Sequence, residues 1–237
     1  MPAKEDLRER VWDELEERGA ARFPFPPHGR IPNFAGAKET AERLTEQEVW
    51  QEAGTVKANP DAPQLPVRRA ALRAGKTLYM AVPRLRDPEC FLELDPAEIE
   101  DVDHATTVGG SAEVGVPVPP EEVAPVDLVV SGSVAVTPEG DRVGKGEGYS
   151  DLEFAVLREF DLVDDDTATA TTVHELQVVE EGVGTAAHDV PMDIVVTPER
   201  VVREKCRPKP EGIRWEIVAD RLDEIPVLQR LAEEDGT

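Results

Sequence analysis

Apolar residues return at four-residue spacing near the start of the chain: Leu7, Val11 and Leu15 share one helical face, which predicts a helix over 4–19 with Gly19 as its stop. Proline then dominates. The run Phe-Pro-Phe-Pro-Pro-His-Gly-Arg-Ile-Pro-Asn-Phe over 23–34 is expected to be an extended or turning arm, because proline excludes helix at itself and at the residue before it. Helical periodicity resumes over 38–53. Prolines mark 57–66 as a loop, and a short helix over 68–74 is closed by Gly75. From there the pattern changes to short valine-rich runs. Residues 77–82 read as a buried strand stopped by Pro83, 115–126 as a connector, and 127–130 and 133–136 as two brief apolar runs. A helix is predicted over 150–160, with further strands over 171–179, 193–197 and 215–218. Helices interspersed among short strands, with no internal repeat, predict an α/β sandwich built around a mostly parallel sheet.

The stretch from Gly140 to Glu153 carries the most chemistry. Gly144, Gly146 and Gly148 stand at every second position just before the predicted helix. Residues without Cβ let the backbone N–H groups approach an anion, and a following helix N-terminus adds positive potential. Arg142 and Lys145 supply cations for a polyphosphate, and Asp151 supplies a hard oxygen ligand suited to magnesium. By residue type alone, the loop equally suits a glycine-rich turn, Asp151 a helix cap and Asp189 a turn.

Arg142-Val-Gly-Lys-Gly-Glu-Gly-Tyr-Ser-Asp151 resembles the RLGxGxGYYD loop of the 5-formyltetrahydrofolate cyclo-ligase family. Three other landmarks of that family follow the same order. Lys4-Glu-Asp-Leu-Arg8 is similar to its KxxLR element, and Gly75-Lys76 with the strand before Pro83 to its GKxVxxP element. His188-Asp-Val-Pro-Met-Asp193 with the following Ile-Val-Val-Thr is similar to HDxxxDxIVT. Arg30-Ile-Pro-Asn-Phe34, Lys57-Ala-Asn-Pro-Asp61, Pro83-Arg-Leu-Arg86 and Cys206-Arg-Pro-Lys-Pro210 look like the methenyltetrahydrofolate synthetase domain-containing branch. The resemblance runs from about residue 4 to residue 216. It implies a three-layer α/β/α sandwich like that of the NagB/RpiA/CoA-transferase superfamily, as a single domain over 1–237 with its N-terminal helix and proline-rich arm at 4–35. It also implies closure of 5-formyltetrahydrofolate to 5,10-methenyltetrahydrofolate with ATP and Mg2+.

Carried over residue by residue, the resemblance puts Lys4 and Arg8 on the ATP phosphates. It makes Arg142, Gly144, Lys145, Gly146, Gly148 and Tyr149 the loop around the nucleotide, with Lys145 and Tyr149 at the reacting end. Asp151 and Asp189 match the carboxylates associated with magnesium, and Asp61, with Val56 nearby, the acidic residue that holds the pterin. The chain departs from the family pattern at three places. Ser150 replaces the second tyrosine of YYD, Leu152 replaces a basic residue, and Asp61 is one methylene shorter than the usual glutamate. These departures keep open an alternative, a divergent paralogue that binds nucleotide but serves other chemistry, such as thiamine-related metabolism.

Charge narrows the classes further. Lys plus Arg number 26 and Asp plus Glu number 50, a formal net charge of −24, and only seven of the cations are lysine. Such a surface repels nucleic-acid backbones and anionic lipid. Neither nucleic acid nor membrane is therefore an expected partner, and the partner that the resemblance implies is a reduced folate. The first residues enter a charged helix with no apolar signal core, which leads to the expectation of a cytoplasmic protein. Cys90 and Cys206 lack CxxC spacing, and His28, His104, His174 and His188 lack the spacing of a structural zinc site. His188 beside Asp189 suits either a substrate contact or a hydrogen-bonded loop, and Lys205, Arg207 and Lys209 suit either an anion contact or a solvated loop. Acidity with scarce lysine is the composition of a protein adapted to concentrated salt, where screening removes carboxylate repulsion. The melting temperature should accordingly rise between dilute buffer and molar KCl when followed by circular dichroism. A flat or falling trend would remove the salt-adapted reading.

Overall fold

Helix α1 (Lys4–Glu17) forms where the four-residue periodicity predicts it, burying Leu7, Val11, Trp12 and Leu15. The computed structural model describes residues 3–204 and 207–235. The proline-rich arm is not a free extension. Strands β1 (Ala21–Arg22) and β2 (Asn33–Phe34) pair antiparallel and close it into a loop, and the Asn33 side-chain amide donates to the Phe23 carbonyl at 2.8 Å.

The helix predicted over 38–53 is broken in two, α2 (Ala37–Thr45) and α3 (Glu48–Glu52), because Gln47 takes an extended conformation at φ −80° and ψ 145°. Strand β3 (Thr55–Ala58) starts before the segment expected to be loop and ends inside it, at Lys57 and Ala58. It is followed by α4 (Leu65–Arg73), β4 (Thr77–Ala81), β5 (Phe91–Leu94), α5 (Val102–Ala105) and α6 (Val108–Val114). The expected connector at 115–126 contains β6 (Val116–Val118). Strand β7 (Leu128–Ser131) then leads to the small β8 (Ala135–Val136) and β9 (Arg142–Val143) pair and to α7 (Tyr149–Glu159).

Strand β10 (Ala168–Thr172) stops well short of the predicted 179. His174 ends it by capping a 3-10 turn: its Nδ1 accepts from the Leu176 N–H, while the Gln177 side chain accepts from the His174 N–H. Strands β11 (Ile194–Val196) and β12 (Val201–Arg203) follow. Residues 215–218, predicted as a strand, are instead the short helix α8 (Trp215–Val218), and α9 (Pro226–Asp235) lies beyond it.

Eight strands form one sheet in the order β12-β11-β10-β7-β3-β4-β5-β6. The five strands from β11 to β4 are parallel, and β12, β5 and β6 are antiparallel additions at the edges. On one face α2, α3 and α4 pack Leu44, Trp50, Val67 and Leu72 onto Val56, Leu78, Leu128 and Ile194. On the other, α7 and α9 pack Phe154, Leu157 and Leu228 onto Tyr79, Val129 and Val195. The result is the expected three-layer α/β/α arrangement. A third cluster joins α1 to the β8–β9 pair through Leu7, Val11, Val134 and Val143. Among the described residues no helix is long and apolar enough to cross a membrane.

The chain leaves β3 toward β4 on one side and later returns to β7 on the other, so the order reverses between β3 and β7. In open α/β sheets this is where ligands enter, outside the carboxyl ends of the strands. A buried ion pair fixes the point of reversal. Lys57 of β3 is 1% exposed and Glu153 of α7 is 8% exposed by side chain, and the ammonium meets the carboxylate directly. Removing one partner strands the other charge in the interior, which typically costs about 3–5 kcal/mol. Lys57→Met and Glu153→Leu should therefore each lower stability by that order in urea unfolding, while the double variant recovers most of it. Equal loss in the double and single variants would show that the pair is not the source of the cost.

Candidate functional site

A cavity of about 640 Å3 opens at the switch point between β3 and β7. Its floor is built by the residues that leave those two strands. After β3 the chain turns through Asn59-Pro60-Asp61, and Arg68 of α4 holds this turn from beneath. The guanidinium, 2% exposed, donates to the carbonyls of Asn59 (2.6 Å), Asp61 (3.0 Å) and Thr106 (2.9 Å). Burial lowers its pKa to about 10, which leaves it charged. Asn59 then links the two strands. Its side-chain amide donates to Glu153 at 3.1 Å and its Oδ1 accepts from the Gly132 N–H at 3.1 Å. Lys57, Asn59, Arg68 and Glu153 were not among the candidates for the site, although Lys57, Asn59 and Glu153 lie inside the quoted motifs.

Asp61 lines the cavity between the two ends of this frame. Burial raises its carboxyl pKa, against the opposing pull of the Lys145 charge. Val56, expected nearby as a substrate contact, lies elsewhere. It is fully buried in the cluster beneath α4 and pairs across the sheet with Leu78 and Leu128. Strand alternation turns its side chain to the face opposite Lys57.

The glycine loop forms the other wall. Gly146 and Gly148 have φ of +106° and +70°, left-handed conformations in which a Cβ is strained. A Cβ on Gly146 would also come within 3.4 Å of the Arg8 guanidinium. Arg8 braces this loop, donating from Nε to the Gly144 carbonyl at 2.7 Å. Lys145 lines the cavity and pairs with Glu147 at 2.7 Å. Tyr149, the first residue of α7, also lines the cavity and has the Arg221 guanidinium 5.1 Å from its ring centre.

Arg142 is the hinge of the arrangement. It donates two bonds of 2.7 Å to the two oxygens of Asp151 and one of 2.9 Å to the Gly132 carbonyl. Asp151 also accepts from the Val190 N–H at 3.1 Å. A bidentate, largely buried guanidinium–carboxylate contact sets angle as well as distance. Asp189 does not line the main cavity. It borders a second one of about 390 Å3 on the far side of Arg142, which lines both. There Asp189 closes a turn by accepting from the Ala186 N–H at 2.9 Å, and it pairs with Lys4 at 2.7 Å. The turn-forming reading of Asp189 therefore describes it, and its pairing with Lys4 is a contact that the sequence did not announce.

These contacts bear on which groups fit. The glycine loop, with Lys145 at its centre and Arg8 and Arg142 behind it, suits a polyphosphate. Magnesium held by the protein alone does not fit, since Asp151 and Asp189 are each committed to a cation. Among the described residues no group of three or more His, Cys, Asp or Glu could hold a metal.

The remaining candidates have structural partners. His188 lies 3.6 Å from Asp189. Arg207 pairs with Asp141 at 2.8 Å and Lys209 with Asp193 at 3.1 Å. Cys90 is buried, with its thiol pKa pushed up to about 12 by that burial, while Lys205 and Cys206 lie outside the described residues.

Comparison with known proteins agrees with this architecture. A solved structure of 5,10-methenyltetrahydrofolate synthetase from Aquifex aeolicus superposes with a TM-score of 0.55 at 22% identity, covering 89% of this chain and 97% of that one, a likeness of fold. Methenyltetrahydrofolate synthase domain-containing proteins are closer in sequence. The Mus musculus protein is 42% identical over 239 residues, covering 98% of this chain and 64% of its own length. The Homo sapiens protein is 39% identical over 237 residues, covering 97% and 61%. The chain thus spans less than two thirds of the length of these relatives. The model of the 5-formyltetrahydrofolate cyclo-ligase family matches residues 1–198, and with it the chain belongs to that family.

Proposed function

We propose that the chain closes 5-formyltetrahydrofolate to 5,10-methenyltetrahydrofolate at the expense of ATP. The observation that carries this reading is a single cavity joining a cation-bearing glycine loop, at Arg142 and Lys145, to the half-buried carboxyl of Asp61. One end suits a transferring phosphoryl group and the other suits the amide and amino donors of a pterin edge.

In this reaction the formyl oxygen attacks the γ-phosphorus and ADP leaves with its electron pair. The resulting phosphorylated imidate is attacked at carbon by N10, and phosphate departs with the former formyl oxygen and, in net balance, the N10 proton, to leave the methenyl bridge. Little side-chain proton transfer is needed. The protein's task is to align two substrates and to stabilise charge as it moves onto phosphate oxygens. Lys145 serves the second purpose from the centre of the loop, exchanging its half-exposed partner Glu147 for phosphate, and exposed pairs of this kind exchange at small cost. Arg8 and Arg142 hold the loop in the shape that receives the phosphates, and Asp61 anchors the pterin. Magnesium enters as the counter-ion of the nucleotide rather than as a resident metal.

The test is an absorbance assay for methenyltetrahydrofolate with ATP, magnesium and 5-formyltetrahydrofolate in high salt, where product should accumulate. Lys145→Ala should lower kcat by about 2–4 kcal/mol of barrier, the usual scale for a lost charge-stabilising donor, with little change in KM for ATP. If the parent protein binds ATP but makes no methenyl product, the paralogue reading replaces this one.

A further inference from the structure

The cations lining the main cavity differ in one respect. Arg68 is spent on three carbonyls, Arg142 on Asp151, and Lys145 on Glu147. Arg84 lines the same cavity, is exposed, and makes no hydrogen bond or ion pair among the described residues. In a chain of net charge −24 an unspent guanidinium at a cavity mouth calls for an explanation.

Its backbone adds a second, independent observation. Arg84 has φ 61° and ψ 18°, and Leu85 has φ 52°, two successive left-handed residues that both carry a Cβ. Such conformations persist only where the surroundings over-determine them, and they gather at ligand-binding positions. Here the fully buried Leu85 side chain and its N–H bond to the Val82 carbonyl at 2.9 Å hold the turn, and Val82 in turn donates to the Cys90 carbonyl at 2.9 Å. The outcome is that Arg84 faces the cavity while Arg86 reaches away toward Glu224 at 3.6 Å.

The sheet supplies the spacing. Gly132 leaves β7, Asp61 follows β3 and Arg84 follows β4, three neighbouring strands with adjacent strands about 4.8 Å apart. A ligand anchored at Asp61 can therefore send one branch over β7 toward Lys145 and another over β4 toward Arg84. A formyl-bearing folate branches in this way. Its pterin edge lies at one side, while the N5 formyl group and the arm carrying the benzoyl-glutamate leave from neighbouring atoms at the other.

We propose that Arg84 is a substrate-binding residue that receives a carboxylate of the glutamyl tail, held toward the cavity by its left-handed turn. This deepens the folate reading of the preceding subsection and rests on it.

The test compares 5-formyltetrahydrofolate with 5-formyltetrahydropteroate as its primary amide, which lacks the glutamate and carries no carboxylate. Affinities are measured by calorimetry alongside turnover on the parent, Arg84→Gln and Arg84→Gly. Arg84→Gln should weaken the glutamyl compound about tenfold, the scale of one charge-assisted hydrogen bond, and leave the pteroate amide and ATP unaffected. Arg84→Gly should lose the same affinity while its melting temperature holds or rises, because glycine relieves the left-handed strain. Equal losses for both compounds, no loss for either, or a change in ATP affinity instead would overturn the assignment. A parent that binds the folate in an Arg84-dependent way but forms no product would sink the proposed reaction and leave the assignment standing. A parent that binds no folate would overturn both.

Discussion

The site depends on one buried contact, the pairing of Lys57 with Glu153. Two charges removed from water need both each other and further hydrogen bonds, and Asn59 completes the set by donating to the same carboxylate oxygen. That need makes the pair directional. It brings α7, with the glycine loop at its N-terminus, against the end of β3, and it orients Asn59 so that its other face meets Gly132 and Ser150. From the opposite face of the sheet Arg68 fixes the backbone of Asn59 and Asp61. The turn that carries Asp61 is thus held from both sides by buried cations.

Charge is distributed in a corresponding way. The chain as a whole is strongly acidic, yet Arg142 and Lys145 line the loop end of the cavity, Arg8 braces the loop through the Gly144 carbonyl and Lys4 holds Asp189 beside the second cavity, each with an acidic neighbour in contact. Partly exposed pairs such as Lys145 with Glu147 give way to a polyphosphate more readily than the enclosed Arg142–Asp151 fork does. The loop end therefore contains cations able to change partners beside cations that keep the wall in place.

Local signals were the legible ones. The glycine loop could be read because left-handed backbone and close approach leave a compositional mark within five residues, and α1 because its apolar stripe is long. Strand β3 was obscured because its last two residues, Lys57 and Ala58, run into the proline-rich segment read as loop, and the partner that buries Lys57 lies 96 positions away. The 215–218 run, Trp-Glu-Ile-Val, has strand-like residue types, but periodicity cannot separate strand from helix over four positions, and the structure makes it α8. The excess length given to the strand over 171–179 has a local cause in His174, whose ring caps a turn that residue type alone did not announce. At the site, the phosphate-binding candidates came from motif order, whereas Asn59 and Arg68 act through backbone and amide contacts that leave little trace in composition. Ser150, noted as a departure, proves to be integrated: its hydroxyl lies 3.2 Å from Asn59 Oδ1 and 3.1 Å from Ser131 Oγ.

The contact between Lys4 and Asp189 spans 185 positions of sequence. Contacts so remote in the chain are entropically slow to close and form late in folding. During synthesis the glycine loop emerges from the ribosome well before Asp189 does, so α1 has only part of its docking surface while most of the sheet is already being made. Completion of the glycine-loop wall is then coupled to completion of the fold. Any ligand that favours the closed chain over a partly formed one would act on this protein as a folding ligand.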